Sequence, residues 1–560
     1  MTSSAGEEAA NRGVLASSAV MATGTVVSRI SGYLRSGLLA AAIGNGLHAD
    51  QFNIGNTIPN MLYILLAGGV FNAVLVPQLV RAMKAHDDGG DAYTNRVITL
   101  AALFLGVVTL VLVAAAPLLM RLFLSSSYDC RELVEQRASA IAFARYCLPQ
   151  VFFYGMFVLV GQILNARGRF GPMMWAPIAN NVIAVLVLVL YLVWFGPLPH
   201  GADGSAFTGV QELVLGLGST LGIAVQLLIL LPYLRSAGFR FRPRYDFRNT
   251  GLGHTLRLGV WTVLFVIVNQ VAYTVVVRLA SGGTARAGNG CGAGPADATG
   301  YSVYAQAFLF VMVPHAIITV SLATAILPRL SAQAAEGDLA GLARSLASTL
   351  RTALAVVIPF ALLLPFVARD TAQVLFGYGA TSTSYANYVP SMVLFGPGVV
   401  FFTVHYLMLR GFYALELTRR VFWIQCVIAA TNVAVAVAVV HGASAADTSP
   451  ALVVAYLTSY AVGSAVSYLV LRRNLGGLET PTLVRFLVRL LVAACLATIV
   501  TAAVAVAWED AGSSHLVAAA RLVVLSAVDV AVFLALARLL RITEVTEVLD
   551  TFTRRLPGRR

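Results

Sequence analysis

Long apolar runs separated by short polar segments make up almost the whole chain. Fourteen of these runs approach or exceed the roughly 20 residues that a helix needs to cross a bilayer. The pattern therefore predicts an all-α polytopic membrane protein with about 14 transmembrane helices. The runs lie at about 14–43, 53–80, 97–124, 139–164, 172–195, 209–234, 254–280, 301–328, 347–368, 386–409, 421–440, 450–471, 482–507 and 515–540.

The chain also repeats itself in sequence. Segment 70–87 ends its apolar run much as segment 318–338 does, with a proline (Pro77 or Pro328) followed two residues later by Leu. Further on, segment 163–185 pairs loosely with segment 408–437. Two landmarks in the same order predict that helices 1–6 and 7–12 are two six-helix repeats related by an axis along the membrane normal. The alternative is that helix ends resemble each other by chance.

These features divide the chain into six predicted segments. The division separates two lobes by a basic linker and adds two C-terminal helices. The segments are a cytoplasmic tail (1–13), an N-lobe (14–235), a basic linker (236–253), a C-lobe (254–473), helices 13 and 14 (474–541) and a basic cytoplasmic tail (542–560).

Composition supports the membrane class and argues against others. Hydrophobic residues make up 58% of the chain, charged residues only 11%, and the mean hydropathy is +0.81. A soluble chain would carry about 25% charged residues. The net charge of +13 is spread over short loops and not gathered on one face, so nucleic acid is not expected as a partner.

The distribution of arginine predicts the orientation in the membrane. Loops 44–51, 196–208, 441–449 and 508–514 contain no Lys or Arg, whereas the loops that alternate with them are rich in arginine. Because basic residues concentrate on the cytoplasmic side, both termini are predicted to lie in the cytoplasm of a multi-pass plasma-membrane protein. The polar, acidic start of the chain predicts no removable signal peptide.

Two arginines inside the first apolar run are the strongest functional signal. Arg29 and Arg35 lie six residues apart, about 120° around a straight helix, and Gly32 between them could permit a bend. An arginine at bilayer depth costs at least roughly 3 kcal/mol and normally faces a cavity, a partner or a ligand. Guanidinium groups suit pyrophosphate because they donate paired hydrogen bonds and stay charged when buried. The pair predicts an anion site; the alternative is that Arg29 snorkels or pairs with an acid.

Three polar residues of the second helix join the predicted substrate-binding set. Asp50 is either the N-cap of that helix or a partner for Arg35. Asn56 and Asn60 flank Pro59, and their amides either face the cavity or satisfy the backbone that the proline interrupts.

Other polar residues within the apolar runs favour a structural role. Hydrogen bonds between helices are the preferred interpretation for Asn165, Asn180, Asn181, Asn269, Gln270 and Asn432. His315 and His405 are weaker candidates for carrying protons.

The cysteines suggest one disulfide and no metal site. Cys130 and Cys291 fall in two predicted outer loops, where a disulfide could form. Cys147, Cys426 and Cys495 lie in predicted helices and are expected to pack there. No Cys/His spacing indicates a metal and no phosphate loop indicates ATP hydrolysis, so no cofactor and no enzymatic activity are expected.

Five motifs in order give the chain a family resemblance. They are SRISGYLR, GNGLHADQFNIGNTIPNMLYILLAGGVFNAVLVPQL, LNARGRFGPMMWAPIANN, VPHAIITVSLATAILPRLS and RGFYALELTRR. The chain resembles the MurJ/MviN family over nearly its whole length, helices 13 and 14 included. The resemblance implies a V-shaped fourteen-helix bundle around a cationic cavity, with a groove for the lipid tail formed by helices 13 and 14. It further implies flipping of lipid II, the undecaprenyl-pyrophosphate-linked peptidoglycan precursor, with membrane lipids and cell-wall synthesis proteins as further partners.

The chain departs from the family pattern at several cationic positions. Many members carry arginine shortly after the Pro-Asn pair, where this chain has Met61, Leu62, Tyr63 and Ile64. Many members have an acid before the Gly that follows, where this chain has Gly68-Gly69. An Arg-Asp step follows the GYLR-like motif in many members, where this chain has Arg35-Ser36. A further arginine expected early in helix 8 is absent from segment 305–314. Either the remaining arginines suffice, or others such as Arg278 and Arg145 help, or the substrate differs. A cation-coupled drug exporter or other glycan exporter of the same superfamily and a non-transporting partner in a cell-wall complex stay open.

Overall fold

The structure is a computed structural model that describes most of the chain. It describes residues 24, 27–65, 90–169, 171–198, 205–246, 252–287, 290–508 and 514–545, with the side chains of 252–259, 287, 290 and 291 left out. The N-terminal tail, Gly68-Gly69, the repeat landmark Pro77 and the tail beyond residue 545 lie outside these ranges.

The described residues form seventeen α-helices and one two-stranded hairpin. The hairpin pairs β1 (Arg286–Ala287) with β2 (Gly290–Cys291) in antiparallel register. The helices are α1 (27–43), α2 (Leu47–Ile64), α3 (Asp91–Ala114), α4 (Ala116–Phe123), α5 (Val134–Cys147), α6 (Gln150–Ala166), α7 (Gly171–Phe195), α8 (Gly209–Ser236), α9 (Leu252–Ser281), α10 (Tyr301–Val311), α11 (Val320–Ala335), α12 (Leu339–Phe376), α13 (Val389–Ala414), α14 (Thr418–His441), α15 (Thr448–Leu475), α16 (Thr480–Ala507) and α17 (His515–Leu539).

The prediction of an all-α polytopic membrane protein is confirmed. Among the described residues, twelve helical segments are long and apolar enough to cross a membrane, and each overlaps one of the last twelve predicted runs. Helices α1 and α2 overlap the first two runs. The agreement follows from the bilayer itself, because a spanning segment must satisfy its backbone hydrogen bonds internally and so forms a helix.

Two predicted helices are interrupted in the structure. Run 97–124 divides at Ala115, and Pro117 lies in the first turn of α4. Run 301–328 breaks after α10, continues as a π-helix over His315–Thr319 and then becomes α11. Pro314 explains the second break, because it lacks an N–H and its ring clashes with the preceding turn. The prediction of one continuous helix over 301–328 is therefore wrong.

The chain forms two compact units. The first contains residues 1–270 with two short segments, 285–294 and 378–381, and the second contains most of the remainder, including the C-terminal helices. The boundary lies inside α9.

Small residues let the helices of the first unit approach closely. Helix α2 packs on α5, and α8 packs on α5, α6 and α7. A Cβ added to Gly55 would lie 3.0 Å from Phe143, and one added to Gly216 would lie 2.5 Å from Tyr146. Without a hydrophobic force between helices in lipid, such close approach supplies much of their association.

The second unit is organised around the 38-residue helix α12. Helix α13 packs between α12 and α15, while the hairpin of α16 and α17 packs along α12. Gly411 and Gly463 sit against Leu471 and Ile428, where added Cβ atoms would lie 2.7 Å and 2.5 Å from those side chains.

The described part of the basic linker is anchored to the start of α3. The Arg242 amide donates to Asn95 Oδ1 at 2.6 Å, and the Arg244 amide donates to Thr99 Oγ1 at 3.1 Å. The Arg96 guanidinium donates to the Asp246 carboxylate, with Nε to Oδ2 at 2.8 Å. That hydrogen bond, together with the charges of nearby arginines, lowers the pKa of Asp246 below its usual value of 3.8.

The cysteines agree only in part with the predicted roles, because Cys147 is buried and Cys426 is partly buried, whereas Cys495 is exposed on its helix. Cys130 is in a disulfide, whereas Cys147, Cys426 and Cys495 are free thiols. The side chain of Cys291, the hypothesised partner, lies outside the description, so the pairing stays a prediction.

Candidate functional site

Helix α1 places the two candidate arginines in different surroundings. It is helical throughout 27–43, including Gly32, and ends where Gly44 adopts a left-handed φ of +82° that closes the helix. Arg29 lies in the first described turns and is exposed, whereas Arg35 lies almost two turns later and is partly buried. Helix α1 therefore carries one exposed arginine near its start, Arg29, and one partly buried arginine among the packed helices, Arg35.

Arg35 faces an apolar interior without a balancing acid. With Phe52, Leu188, Leu215 and other side chains it lines a cavity of about 20 Å³, which has room for a single water molecule. No described carboxylate lies within ion-pair distance of Arg35. The groups with which it interacts electrostatically are the Tyr154 hydroxyl and the Cys147 thiol. A cation left unpaired in such surroundings is a candidate for binding an anion.

Asp50 takes neither of its two predicted roles. Helix α2 begins at Leu47 with Gly46 as its N-cap, so Asp50 lies in the first helical turns and the capping interpretation is wrong. The side chain is fully buried but is not ion-paired with Arg35. Its position near the positive end of the helix dipole is favourable for a carboxylate.

Asn56 belongs to a polar cluster that joins three helices. Its Oδ1 accepts hydrogen bonds from Gln150 Nε2 at 2.9 Å and from Ser219 Oγ at 3.1 Å, and Gln150 also donates to Ser219 at 3.2 Å. The side-chain oxygen of Asn56 is thus already hydrogen-bonded to α6 and α8. Only its amide nitrogen is left to contact a ligand.

Asn60 lies four residues further along α2 and is exposed. Residues at this spacing share one face of a helix, so the amides of Asn56 and Asn60 are neighbours on α2. The buried Pro59 lies between them. The structure thus brings Arg35 and Asn56 into the same group of packed helices but leaves Arg29 and Asn60 on exposed surface.

Several polar residues predicted to join helices do so. Asn181 Nδ2 of α7 donates to Ser28 O and Ser31 Oγ of α1, each at 2.9 Å. Gln270 Nε2 of α9 donates to Met61 O of α2 at 3.2 Å. The two asparagine bonds fix the helix that carries Arg29 and Arg35.

The histidines are held by hydroxyl groups within the second unit. His315 Nδ1 lies 2.9 Å from Thr403 Oγ1, and His405 Nδ1 lies 2.7 Å from Ser467 Oγ. Both rings are buried. These bonds favour a structural role over proton transport.

Sequence reasoning missed an arginine at the end of α13. The Arg410 guanidinium carbon lies 4.4 Å from the ring centroid of Tyr406, and its Nε has no hydrogen-bond partner. Tyr406 and Arg410 are four residues apart and therefore share one face of the helix, so their contact could have been predicted from the sequence.

Of the arginines suggested as replacements for the missing family cations, Arg145 is exposed on α5 and Arg278 is partly buried on α9.

Comparison with known proteins gives one consistent result. The model of the family described as "Lipid II flippase MurJ" matches residues 39–522. A probable lipid II flippase MurJ of Rhizobium tropici is 25% identical over 415 residues, which cover 74% of this chain and 73% of that protein.

Solved structures show the same fold. A lipid II flippase MurJ in an inward closed conformation matches with a TM-score of 0.71 and 15% identity, covering 94% of this chain and 99% of that one. An inward-facing multidrug resistance MATE family transporter matches with a TM-score of 0.60 and 15% identity, covering 82% of this chain and 96% of that one. At these identities the structural likeness establishes the fold alone.

Proposed function

The chain belongs to the lipid II flippase MurJ family, and on that premise we propose that it moves lipid II from the inner to the outer leaflet of the plasma membrane by alternating access. The observation that carries the proposal is Arg35, a cation in an apolar helix with no described carboxylate partner. Flipping breaks no covalent bond, so the proposal includes no catalytic residue.

Arg35 and Arg29 are proposed to bind the pyrophosphate during its passage. Each guanidinium can donate two parallel hydrogen bonds to phosphate oxygens. Because Arg35 has no acid to compete with the ligand, its donors are available when a phosphate arrives. The amides of Asn56 and Asn60 would contact the sugar-peptide headgroup, and Asp50 would contribute to the polar wall.

The lipid tail is proposed to lie along the C-terminal hairpin. An apolar cavity of about 240 Å³ runs between α12 and α17, with Pro359, Phe360, Leu363 and Phe533 in its wall. An apolar surface of this kind suits a polyprenyl chain. The hairpin extends beyond the two predicted six-helix repeats, and this cavity supports the proposal that it takes part in transport.

Orientation belongs to the same proposal. The arginine-free loops would face outward and both termini would lie in the cytoplasm. Alternating access would open the cationic cavity to each side of the membrane in turn. Cell-wall synthesis proteins are proposed as further partners.

Depletion and rescue test the function directly. Cells depleted of the protein should accumulate lipid II on the inner leaflet, and the wild-type chain should relieve the accumulation. Arg29→Gln/Arg35→Gln should fail to relieve it while reaching normal membrane levels. The matched control is Arg472→Gln/Arg473→Gln, which removes two exposed arginines from the last turn of α15 and should rescue.

Each alternative has its own outcome in that experiment. Full rescue by Arg29→Gln/Arg35→Gln would contradict the anion site. Drug sensitivity without any change in lipid II would favour an exporter. Loss of wall assembly with normal lipid II distribution would favour a non-transporting partner.

A further inference from the structure

A polar pocket lies where α11 and α12 meet, within the second unit. The last turns of α11, the turn at 336–338 and the first turns of α12 enclose a cavity of about 420 Å³. Gly337 adopts a left-handed φ of +76°, which permits the tight reversal between the two helices. The volume is within the range of roughly 300–1,000 Å³ typical of small-molecule sites.

Two arginines line this pocket without carboxylate partners. Arg329 and Arg344 are both exposed, and neither makes an ion pair with any described residue. Asp338 also lines the pocket, but its Oδ1 accepts a hydrogen bond from the Gly341 amide at 2.7 Å as the N-cap of α12. By contrast, Arg351, two turns further along α12, pairs with two glutamates. The pocket arginines therefore keep their donors available.

One further polar group of the pocket is buried without a partner, and a second lines the cavity. Ser345 is only 8% exposed and lines the cavity. Gln333 Oε1 is buried and has no hydrogen-bond partner. Thr349, in the same wall, instead bonds the Ser345 carbonyl of its own helix at 2.9 Å. Since nearly all buried polar groups in proteins are hydrogen-bonded, Gln333 Oε1 indicates a ligand or ordered water in this pocket.

We propose that this pocket binds a phosphate ester. Arg329 and Arg344 would hold the phosphate oxygens through charge-assisted hydrogen bonds, and the Ser345 hydroxyl would donate a third. The N-terminus of α12 adds a favourable dipole. Asp338 and Gln333 would accept hydrogen bonds from a hydroxyl or ammonium group on the rest of the ligand.

Two sources can supply this chemistry. The loop between α11 and α12 is predicted to face the cytoplasm, where both free phosphate esters and phospholipid headgroups of the inner leaflet are within reach. Both present a phosphate beside a hydroxyl or ammonium group. The pocket shares no residue with the proposed substrate site, and its occupancy can be measured without any assay of flipping.

The test measures binding to the purified full chain with two probes. Glycerol 3-phosphate is titrated by calorimetry in detergent, and retained phosphatidylglycerol is counted by native mass spectrometry after exchange from lipid nanodiscs. The wild type should bind at least one probe. Arg329→Gln/Arg344→Gln should weaken that binding about tenfold or more, because each charge-assisted hydrogen bond contributes more than a neutral one.

Variants and controls separate the pocket from general surface charge. Ser345→Ala should weaken binding several-fold, and Arg472→Gln/Arg473→Gln, which removes the same charge from exposed positions, should leave it unchanged. Binding of glycerol 3-phosphate alone identifies a free ester, and binding of phosphatidylglycerol alone identifies a lipid headgroup. Failure of the wild type to bind either probe, or an equal loss in the Arg472/Arg473 control, would overturn the proposal. If the double arginine variant does not fold, the binding affinity of Ser345→Ala is compared with that of the Arg472→Gln/Arg473→Gln control, and an equal affinity in the two overturns the proposal.

Discussion

Helix α1 and the α12–α17 contact use the same residue type in opposite ways. In α1, Arg35 is partly buried among apolar side chains and has no described carboxylate partner. In the second unit, Arg521 of α17 donates to Asp370 of α12, with Nε to Oδ2 at 2.7 Å and the second nitrogen to Oδ1 at 2.5 Å. Asp370 is only 2% exposed and Arg521 19%. An acid within reach therefore decides whether a membrane arginine holds helices together or stays available for a ligand.

The opposite end of the same hairpin repeats the paired arrangement. Arg351 of α12 donates to Glu544 at 2.8 Å and to Glu479 at 3.3 Å. Glu544 follows α17 and Glu479 precedes α16, so one arginine ties both ends of the hairpin to α12. The C-terminal hairpin is thus attached to α12 by ion pairs near its open end and near its turn, with the apolar cavity between these attachments.

The largest expected effect comes from breaking the buried pair. Arg521→Met should lower the free energy of unfolding by about 3–5 kcal/mol, because it leaves the Asp370 carboxylate buried without its cation. Arg35→Met should change it by less than about 1 kcal/mol, because no partner is stranded. Denaturant titration of the purified protein measures both values.

A double variant sharpens this comparison. Asp370→Leu/Arg521→Leu removes both charges and should recover most of the stability lost in Arg521→Met. If Arg35→Met proves as costly as Arg521→Met, then Arg35 has a structural role and the distinction between the two regions fails.

The ion pairs of Arg351, at the other end of the hairpin, should contribute less to the free energy of unfolding than the Arg521–Asp370 pair. Arg351→Met should cost about 1.5–3 kcal/mol, the range for hydrogen bonds to charged groups, because Glu479 is 34% exposed and can be solvated when it loses its partner. Limited proteolysis of the C-terminal hairpin, together with the unfolding midpoint, checks this value. Equal protease resistance in wild type and variant would show that Arg351 does not hold the hairpin.

A smaller effect is expected from the polar cluster around Asn56. Asn56→Leu should cost about 0.6–1.7 kcal/mol, the range for hydrogen bonds between transmembrane helices, because Gln150 and Ser219 lose their acceptor. Ser219→Ala removes only one of these bonds and serves as the graded control. A rescue defect in Asn56→Leu that exceeds its loss of stability would favour a direct role for Asn56 in binding substrate.

The smallest effect is a pH dependence at the linker. Since hydrogen bonding to Arg96 lowers the pKa of Asp246 in the folded state, its stabilisation is present above the unfolded pKa of about 3.9 and is lost as the pH falls through the lower folded pKa. Asp246→Asn should therefore remove a small stabilisation at pH 7 and reduce the loss on acidification. Thermal midpoints from pH 7 to pH 3 test this, and added salt should shrink the difference because the pair is exposed.

Several features of the site were outside the reach of sequence reasoning. The N-cap of α2 falls at Gly46 and not at Asp50, because the helix starts earlier than its apolar run. Arg521 and Asp370 are 151 residues apart, so no local pattern in the sequence could pair them. The Arg410–Tyr406 contact, in contrast, follows from helical spacing and could have been predicted.

The sequence by itself determined that this is a helical membrane protein, where nearly all of its spans lie, and that arginines are present inside the first of them. These properties are local, because apolar length and the need to satisfy the backbone in lipid decide them segment by segment. Only the tertiary structure decided which arginines are neutralised, since that depends on carboxylates brought from distant helices. Packing paired Arg521 and Arg351 with acids and left Arg35, Arg329 and Arg344 without them among the described residues.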